Sequence, residues 1–267
     1  MGVLPRRSGF FHSVGVSAGY SRMDRLRLLY LDEHLVAVDK PPGLLVHRTK
    51  LADGDDFLLQ RLRRQLGRRV YAVHRLDRPT SGVILFGLTQ DAARRLSGGF
   101  EAKVVHKCYL AVVRGWPEPA GEIDYPLADP DAEIRAPQAV RPAHTRYQRL
   151  ATVELPLAVG RYPTSRYALV LAKPQTGRRH QIRRHFAHIR HPLIGDTTHG
   201  EGRHNRFFRA QWGLRRLLLH AWAIEIAHPA TGARLRVVAP PDQDWCRLLD
   251  AFGWTDALPA GAGVGPA

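Results

Sequence analysis

The sequence is poor in cysteine, lysine and acidic residues, and it has no long apolar run. Only two cysteines, Cys108 and Cys246, occur in 267 residues, and they lie far apart. So few thiols exclude a disulfide framework, and the reducing cytoplasm is therefore the expected compartment. No apolar stretch reaches the roughly 18 residues that a membrane helix needs. We therefore expect a protein without a membrane span.

The shortage of acidic residues leaves the chain strongly basic. Forty Lys and Arg residues stand against 24 Asp and Glu residues, which gives a formal net charge of +16 and a pI of about 10.8. Only five of the basic residues are lysines. Arginine binds phosphate through a planar set of donors and stacks on bases. A bias toward arginine contributes to this composition, but the acidic deficit favours an anionic partner, nucleic acid before membrane.

Apolar periodicity predicts many strands and a few helices. Residues 57–66 and 89–103 carry apolar side chains at helical spacing, the second with Thr89 as its N-cap. The remaining apolar runs alternate or are continuous and are typical of strands joined by hairpins. These strands are expected at residues 26–40, 107–115, 145–155, 165–174 and 217–240. The pattern favours an α+β fold with a mixed, mostly antiparallel sheet and flanking helices.

Two terminal segments differ from the rest of the chain in composition. Residues 1–22 are expected to be a disordered leader, or the product of a start codon assigned too early, with Met23 as the natural beginning. Residues 258–267 are rich in Gly, Ala and Pro and are expected to form a flexible tail. No linker divides the part between them, so residues 24–257 are expected to form one domain.

A polar cluster separates two apolar runs in VYAVHRLDRPTSGVILFG, residues 70–87. Asp77 lies there between two arginines, on a turn that a proline and a glycine enforce. Burial on such a turn raises the pKa of a carboxyl, and nearby guanidinium groups oppose that rise. An ionised, fixed aspartate suits a nucleophile or a general base. The alternative is an aspartate with a purely structural role. A hydrolase triad of His74, Asp77 and Ser81 is disfavoured because no G-x-S-x-G motif accompanies it.

The segment TGRRHQIRRHFAHIRHPLIGD, residues 176–196, combines five arginines with four histidines. His185, His188 and His191 have the spacing of metal ligands, but no Cys or Glu joins them and the arginines repel a cation. A phosphate-binding helix end, made of guanidinium and backbone N–H groups, is the competing interpretation. A solvated basic face without a function is the third.

Tyr109 follows Lys107 by two residues in the run HKCYLAVV. Side chains two residues apart lie on the same face of a strand. A tyrosine in a strand is usually part of the core. An aromatic ring beside a cation is also the usual platform for an unstacked base.

Six motifs in one order carry a family resemblance: KPPGLLVH, HRLDRPTSGV, KCYLAVVRG, TGRRHQIRRH, HPLIGD and LLLHA. Together they resemble the RluA-type pseudouridine synthases, over roughly residues 26–255. HRLD-x-x-TSG combined with TGR-x-HQIR is highly specific. Within the family, the motifs are most similar to those of the branch that acts on uridine 65 of tRNA.

The resemblance implies an isomerase that converts a uridine of structured RNA to pseudouridine, with no cofactor and no metal. Asp77 is implied as the catalytic aspartate, attacking either the sugar C1′ or the base ring. Tyr109 is implied to stack on the flipped base and assist proton removal from C5, and Arg183 to hold Asp77 ionised. Arg75 is implied to enter the RNA stack and Ile182 to pack beside the base. The other implied RNA-binding residues are His74, Lys107, Arg178, Arg179 and His180.

Several functions stay open at this stage. The first is a tRNA uridine-65 synthase whose single catalytic domain, residues 24–257, surrounds a central RNA-binding cleft and acts as a monomer. The second is a family member that acts on ribosomal RNA or on another tRNA site. The third is a non-catalytic RNA-binding factor on the same scaffold. A metal-dependent hydrolase built on the histidine cluster is a further alternative and predicts sensitivity to chelators.

Overall fold

The computed structural model describes residues 25–47, 56–128 and 140–259. The predicted leader, residues 1–22, lies outside the described residues, as does the predicted tail after Pro259. Among the described residues, no helix has the length and apolar character to cross a membrane.

The strands of the described chain form one large sheet and one small hairpin. In chain order they are β1 (Arg27–Leu31), β2 (Leu35–Lys40), β3 (Tyr71–Ala72), β4 (Ser81–Gly87), β5 (His106–Arg114), β6 (Ala120–Asp124), β7 (Leu127–Ala128), β8 (Val140–Arg141), β9 (His144–Leu155), β10 (Ser165–Pro174), β11 (Leu219–Ala227) and β12 (Arg234–Val238). The helices are α1 (Leu58–Leu66), α2 (Gln90–Glu101), α3 (Gln181–His188), α4 (Gly202–Trp212) and α5 (Gln243–Ala251), followed by a short 3₁₀ turn at Thr255–Ala257.

The large sheet is mixed and mostly antiparallel, as predicted. Its strand order is β1-β2-β4-β11-β5-β10-β9-β6, with β12 added to β11 and β3 added to β4, while β7 and β8 pair separately. Among the described strands, the pairing of β4 with β11 is the one parallel contact, and it matches Ser81 with His220 and Gly82 with Ala221. Gly82 has φ 104°, and a Cβ there would lie 2.3 Å from the carbonyl oxygen of Ala221. Glycine therefore permits the close approach that joins the two sides of the sheet.

Three helices carry apolar residues at helical spacing, and the first two lie where that spacing predicted them. The first two are α1, which buries Leu58 and Leu62, and α2, whose N-cap Thr89 accepts a hydrogen bond from the backbone N–H of Ala92 at 3.1 Å. The third is α3, which buries Ile182 and a phenylalanine on one face. The sequence analysis did not predict α4 and α5. Both still pack on the sheet, since each contributes to the cluster of buried aromatic side chains on one face.

The core lies on both faces of the sheet, because successive residues of β5 point in opposite directions. Leu110 and Val112 enter a cluster with Trp222 and Trp245, whereas the next residues along the strand pack under α3. Tyr109 packs against the clusters on the α1 and α3 sides. The start of β5 is thereby fixed between the loop that precedes β4 and the N-terminus of α3.

Candidate active site

The ten residues to which the family resemblance assigns roles all line one cavity. Its volume is about 650 Å³, within the roughly 300–1,000 Å³ of ligand pockets. Three segments form most of its wall: residues 74–77 before β4, residues 100–109 between α2 and β5, and residues 174–183 leading into α3. The ten residues are His74, Arg75, Asp77, Lys107, Tyr109, Arg178, Arg179, His180, Ile182 and Arg183. Their individual roles stay predictions.

Asp77 lies on a tight turn between β3 and β4, and its backbone fixes the side chain toward the cavity. Its carbonyl oxygen accepts a hydrogen bond from the Thr80 N–H at 3.1 Å, which closes the turn. The next residue, Arg78, pairs with Gly43 through a backbone bond of 2.9 Å and donates its Nε–H to the Gly43 carbonyl at 2.9 Å. The Asp77 side chain is 18% exposed, so solvent reaches it only from the cavity side.

Lys40 anchors the same turn from inside the protein. This side chain is fully buried, and its ammonium group donates to the carbonyl oxygens of Pro41, Leu44 and Arg78 at 2.9, 2.8 and 3.0 Å. Burial lowers the pKa of Lys40 to about 7, whereas three carbonyl acceptors favour the charged form. The carbonyl group of Arg78, the residue after Asp77, is therefore held by a compact three-way donor, a geometry that the planar guanidinium of arginine does not reproduce.

Replacing Lys40 with methionine is expected to lower the free energy of unfolding by about 2–3 kcal/mol, because it leaves buried carbonyl groups without donors. Urea denaturation measures this loss. Lys40→Arg is expected to fail as a rescue, since the larger planar head does not fit between the three carbonyls. Lys173→Met, at an exposed position on β10, is the matched control and should leave stability unchanged. A Lys40→Met protein as stable as the control would contradict the anchoring role.

Arg183 links Asp77 to a second, fully buried carboxylate. Its Nη1 lies 3.4 Å from Asp77 Oδ2, while its Nε and Nη2 bind the two oxygens of Asp196 at 2.7 and 2.8 Å. Burial alone would lower the pKa of the Arg183 guanidinium, but the hydrogen bonds and charge of Asp196, with a further contribution from Asp77, raise it. The guanidinium that faces Asp77 is thus oriented mainly by its other partner.

Asp196 is a site residue that the sequence analysis quoted within HPLIGD but did not single out. Its side chain has no exposed surface. Burial would raise its pKa, but hydrogen bonds from Arg183 and from the backbone N–H groups of Thr198 and His199 outweigh this and lower it. A carboxylate at the end of an otherwise apolar motif, thirteen residues after the arginine it binds, is the signal that could have identified it.

Tyr109 and Lys107 lie on the same face of β5 and both line the cavity, as the strand period predicts. Burial, and then the negative charge of Asp77, raise the pKa of the Tyr109 phenol. The phenol therefore keeps its proton at neutral pH. Burial lowers the pKa of Lys107 to about 8, and its ammonium group donates to the Thr176 carbonyl at 3.0 Å.

His74 and Ser81 do not form a hydrolase triad with Asp77. The Nε2 of His74 accepts the backbone N–H of Leu85 at 2.9 Å, and burial lowers the pKa of this imidazole to about 3. Ser81 instead contacts His220 Nδ1 at 2.8 Å, away from Asp77. These bonds connect the turn to the sheet, and the neutral His74 ring forms part of the cavity wall.

The arginines of the cavity differ in how firmly they are held. Arg75 is exposed, and Arg178 donates its Nε–H to the Pro142 carbonyl at 3.1 Å. Arg179 is also exposed. Ile182 is buried in the first turn of α3 and presents an apolar surface to the cavity. The cavity therefore has guanidinium groups at its edge and an apolar contact deeper inside, an arrangement suited to a phosphate-linked base.

The three histidines considered as metal ligands turn to separate partners. His185 is 3.0 Å from the Tyr125 carbonyl oxygen through Nε2, and His188 stacks on the Tyr125 ring with centroids 3.7 Å apart. His191 contacts the Arg114 carbonyl oxygen through Nδ1 at 2.8 Å. In the described part of the chain, no group of three or more His, Cys, Asp or Glu side chains is arranged to hold a metal ion.

A turn-fixed carboxylate in a basic cavity, beside an aromatic ring on a mixed sheet, suits an enzyme that acts on a base flipped out of a nucleic acid. The family model described as RNA pseudouridylate synthase matches residues 34–188. This chain belongs to that family.

Two curated relatives illustrate the similarity, and both are named tRNA pseudouridine synthase C. The protein from Yersinia pestis is 49% identical over 240 residues, which cover 88% of this chain and 93% of that protein. The protein from Vibrio cholerae is 46% identical over 239 residues, covering 87% and 98%. The solved structure of Human RNA Pseudouridylate Synthase Domain Containing 4 has a TM-score of 0.65 at 25% identity, covering 85% of this chain and 92% of that one. Sequence and fold thus agree on the family.

Proposed function

We propose that this enzyme converts uridine 65 of a tRNA to pseudouridine, with Asp77 as the catalytic aspartate. The observation that carries the proposal is the position of Asp77: a turn-fixed carboxylate at the cavity wall, 3.4 Å from Arg183. Relatives named tRNA pseudouridine synthase C, 45–49% identical to this chain, support tRNA as the substrate. The motif resemblance described above supports position 65.

The proposed reaction needs no change in oxidation state. The N1–C1′ bond of the uridine breaks, the uracil rotates, and a C5–C1′ bond forms. C5 loses its hydrogen as a proton, and N1 gains one. Asp77 attacks either C1′ or the base ring, Arg183 pairs with the carboxylate, and Tyr109 stacks on the base and assists proton removal from C5. Ile182 packs beside the base, which restricts its rotation to the cavity.

The basic lining supports RNA binding around an extruded nucleotide. Besides Arg183, six basic side chains line the cavity against two acidic ones, Asp77 and Glu101. The six are Arg75, Lys103, Lys107, Arg141, Arg178 and Arg179. Extruding a base costs a few kcal/mol, which contacts between guanidinium groups and phosphates offset. Arg75 is exposed and next but one to Asp77, so we propose that it fills the space that the uridine leaves.

The proposal also covers the organisation of the protein. Residues 24–257 act as one catalytic domain and as a monomer. The single large sheet and the packing of Trp254 into the same core as Trp222 support one domain. Both cysteines are free thiols, which supports the cytoplasm as the compartment of the reaction.

The substrate is tested with tRNA transcripts and purified enzyme. A transcript with uridine at position 65 is expected to gain one pseudouridine there. A transcript with cytidine at that position should gain none. Pseudouridine mapping of both transcripts, and of ribosomal RNA treated in parallel, measures the outcome. Modification of ribosomal RNA or of another tRNA position would refute position 65, and RNA binding without any modification would favour the non-catalytic factor.

A further inference from the structure

His180 and His199 form a hydrogen-bonded pair beside Asp77. His180 Nε2 lies 4.0 Å from Asp77 Oδ2, the same oxygen that Arg183 approaches, and His180 Nδ1 lies 3.0 Å from His199 Nε2. His180 has φ 54°, a left-handed conformation that is uncommon outside glycine and costs about 1–3 kcal/mol. The backbone is thus held in an unfavourable conformation at the point where the ring reaches the carboxylate.

His199 is fixed by the same buried carboxylate that orients Arg183. Its backbone N–H donates to Asp196 Oδ1 at 2.9 Å. The ring of His199 is partly exposed, while His180 lines the cavity. The two imidazoles therefore connect the carboxylate in the cavity with a ring that solvent partly reaches.

Both histidines are uncharged at neutral pH, since burial, the largest influence, lowers the pKa of each. Charged groups of both signs surround the pair, so neither ring is dominated by a single partner. The charged groups that face the pair are Asp77, Arg179, Arg183, Arg184 and Asp196. Each neutral imidazole carries one N–H, so two arrangements of the pair are available. In one, His199 Nε2 donates to His180 Nδ1, and the His180 proton lies on Nε2. In the other, His180 Nδ1 donates to His199 Nε2, and the His199 proton lies on Nδ1.

The charge on Asp77 selects between these arrangements. While Asp77 is ionised, an Nε2–H on His180 faces the carboxylate favourably, and His199 donates its Nε2–H to His180 Nδ1. The relay belongs to the route in which Asp77 attacks the base ring, because attack at C1′ would release the carboxylate again as the C5–C1′ bond forms. While Asp77 is bonded to the ring it carries no charge, and a bare His180 Nε2 is no longer repelled. The His180 Nε2 proton then leaves to solvent, the His199 Nε2 proton moves to His180 Nδ1, and His199 Nδ1 gains a proton from solvent. His180 can then take up a proton at Nε2 and pass its Nδ1 proton to His199.

We propose that His180 and His199 form a proton relay that removes the C5 proton of the rotated uracil and delivers it to the solvent side. The inference rests on the proposed function. In the balanced step, the C5–H bond breaks and its electron pair forms the C5=C6 double bond as the bond between C6 and Asp77 breaks and Asp77 leaves as a carboxylate. His180 Nε2 accepts the C5 proton, His180 Nδ1 passes its proton to His199 Nε2, and His199 releases its Nδ1 proton to solvent. Tyr109 lines the same cavity, and burial raises the pKa of its phenol, so the phenol holds a proton. It passes a proton on only if another group accepts one.

The relay is tested with His199→Gln. Glutamine can still donate a hydrogen bond to His180 Nδ1, but it cannot exchange a proton. We expect kcat to fall by about 10²-fold, the lower end of the general acid–base range, with KM unchanged. Comparing RNA that carries 5-deuterated uridine with ordinary RNA should reveal a kinetic isotope effect above the wild-type value, because C5 proton transfer becomes rate-limiting. Added imidazole should partly restore a His199→Gly variant.

His106→Gln, at an exposed position at the start of β5, is the matched control and should behave as wild type. A His199→Gln enzyme of normal activity would overturn the relay. So would a loss of activity with an unchanged isotope effect and no rescue by imidazole, which would indicate a purely structural role. A wrong substrate assignment is distinguished from a wrong relay, since wild-type enzyme would then leave tRNA unmodified. The same comparison is then made on the RNA that a pseudouridine map of total RNA identifies.

Discussion

Asp77→Asn is expected to abolish pseudouridine formation while leaving the fold and tRNA affinity intact. The amide is nearly isosteric, but it cannot attack a carbon atom, so kcat/KM should fall by at least about 10³-fold. The turn survives because its closing bond, from Thr80 N–H, goes to the backbone oxygen of Asp77 and not to the side chain. Tritium release from tRNA carrying 5-tritiated uridine measures the loss.

Asp91→Asn provides the matched control. Asp91 lies in the first turn of α2, is largely exposed and pairs with Arg95 on the same helix. The control should release tritium at the wild-type rate, and filter binding should give both variants the wild-type affinity for tRNA. Tritium release by Asp77→Asn at a rate near that of the control would show that another group is the nucleophile.

Asp196→Ala is expected to have the largest effect on stability, a loss of about 3–5 kcal/mol in the free energy of unfolding. The change leaves the buried Arg183 guanidinium without the two hydrogen bonds that compensate its burial. Chemical denaturation of the variant and of wild type measures this. Because the pKa of Asp196 is lowered from 3.8 in the folded protein, its ionised form stabilises the fold fully above that pH, and the contribution is lost as the pH falls through the lowered value.

A double variant separates stability from activity. Replacing both Arg183 and Asp196 with leucine removes the two buried charges together, so most of the lost stability should return. Activity should not return, because Asp77 then lacks its guanidinium neighbour. Wild-type stability in the single Asp196→Ala variant, or activity in the double variant, would each contradict the arrangement in which Asp196 orients Arg183 toward Asp77.

The elements predicted from the sequence are those whose apolar residues recur regularly. The helix α1 and the strands β5 and β10 bury one face or both, and that periodicity is visible in the letters. By contrast, α4 contains three arginines and buries a single residue, Phe208, so its pattern is that of a polar segment. α5 had a readable start, since Asp242 accepts the Trp245 N–H, but it follows a strand and two prolines and was not predicted, although it lies within the predicted domain.

The family motifs identified the ten predicted site residues. The sheet brings the segments that carry them together. The residues that hold them were harder to find. Lys40 acts through two nearby carbonyl groups and that of Arg78, and Asp196 acts through the Arg183 guanidinium; no apolar periodicity marks either set of partners. His199 lies outside every periodic segment. Lysine is rare in this chain, which uses arginine for most of its basic residues. The buried Lys40 therefore indicates a position where arginine does not fit.

The parallel contact between β4 and β11 has a consequence for biosynthesis. It joins Ser81 to His220, which are 139 positions apart, directly behind the turn that carries Asp77. Long-range pairings of this kind form late, because a long loop must close before the contact is made. A nascent chain on the ribosome therefore carries its nucleophile long before β11 emerges to support it. The enzyme gains its activity near the end of translation, and a prematurely terminated fragment keeps Asp77 without the strand that supports it.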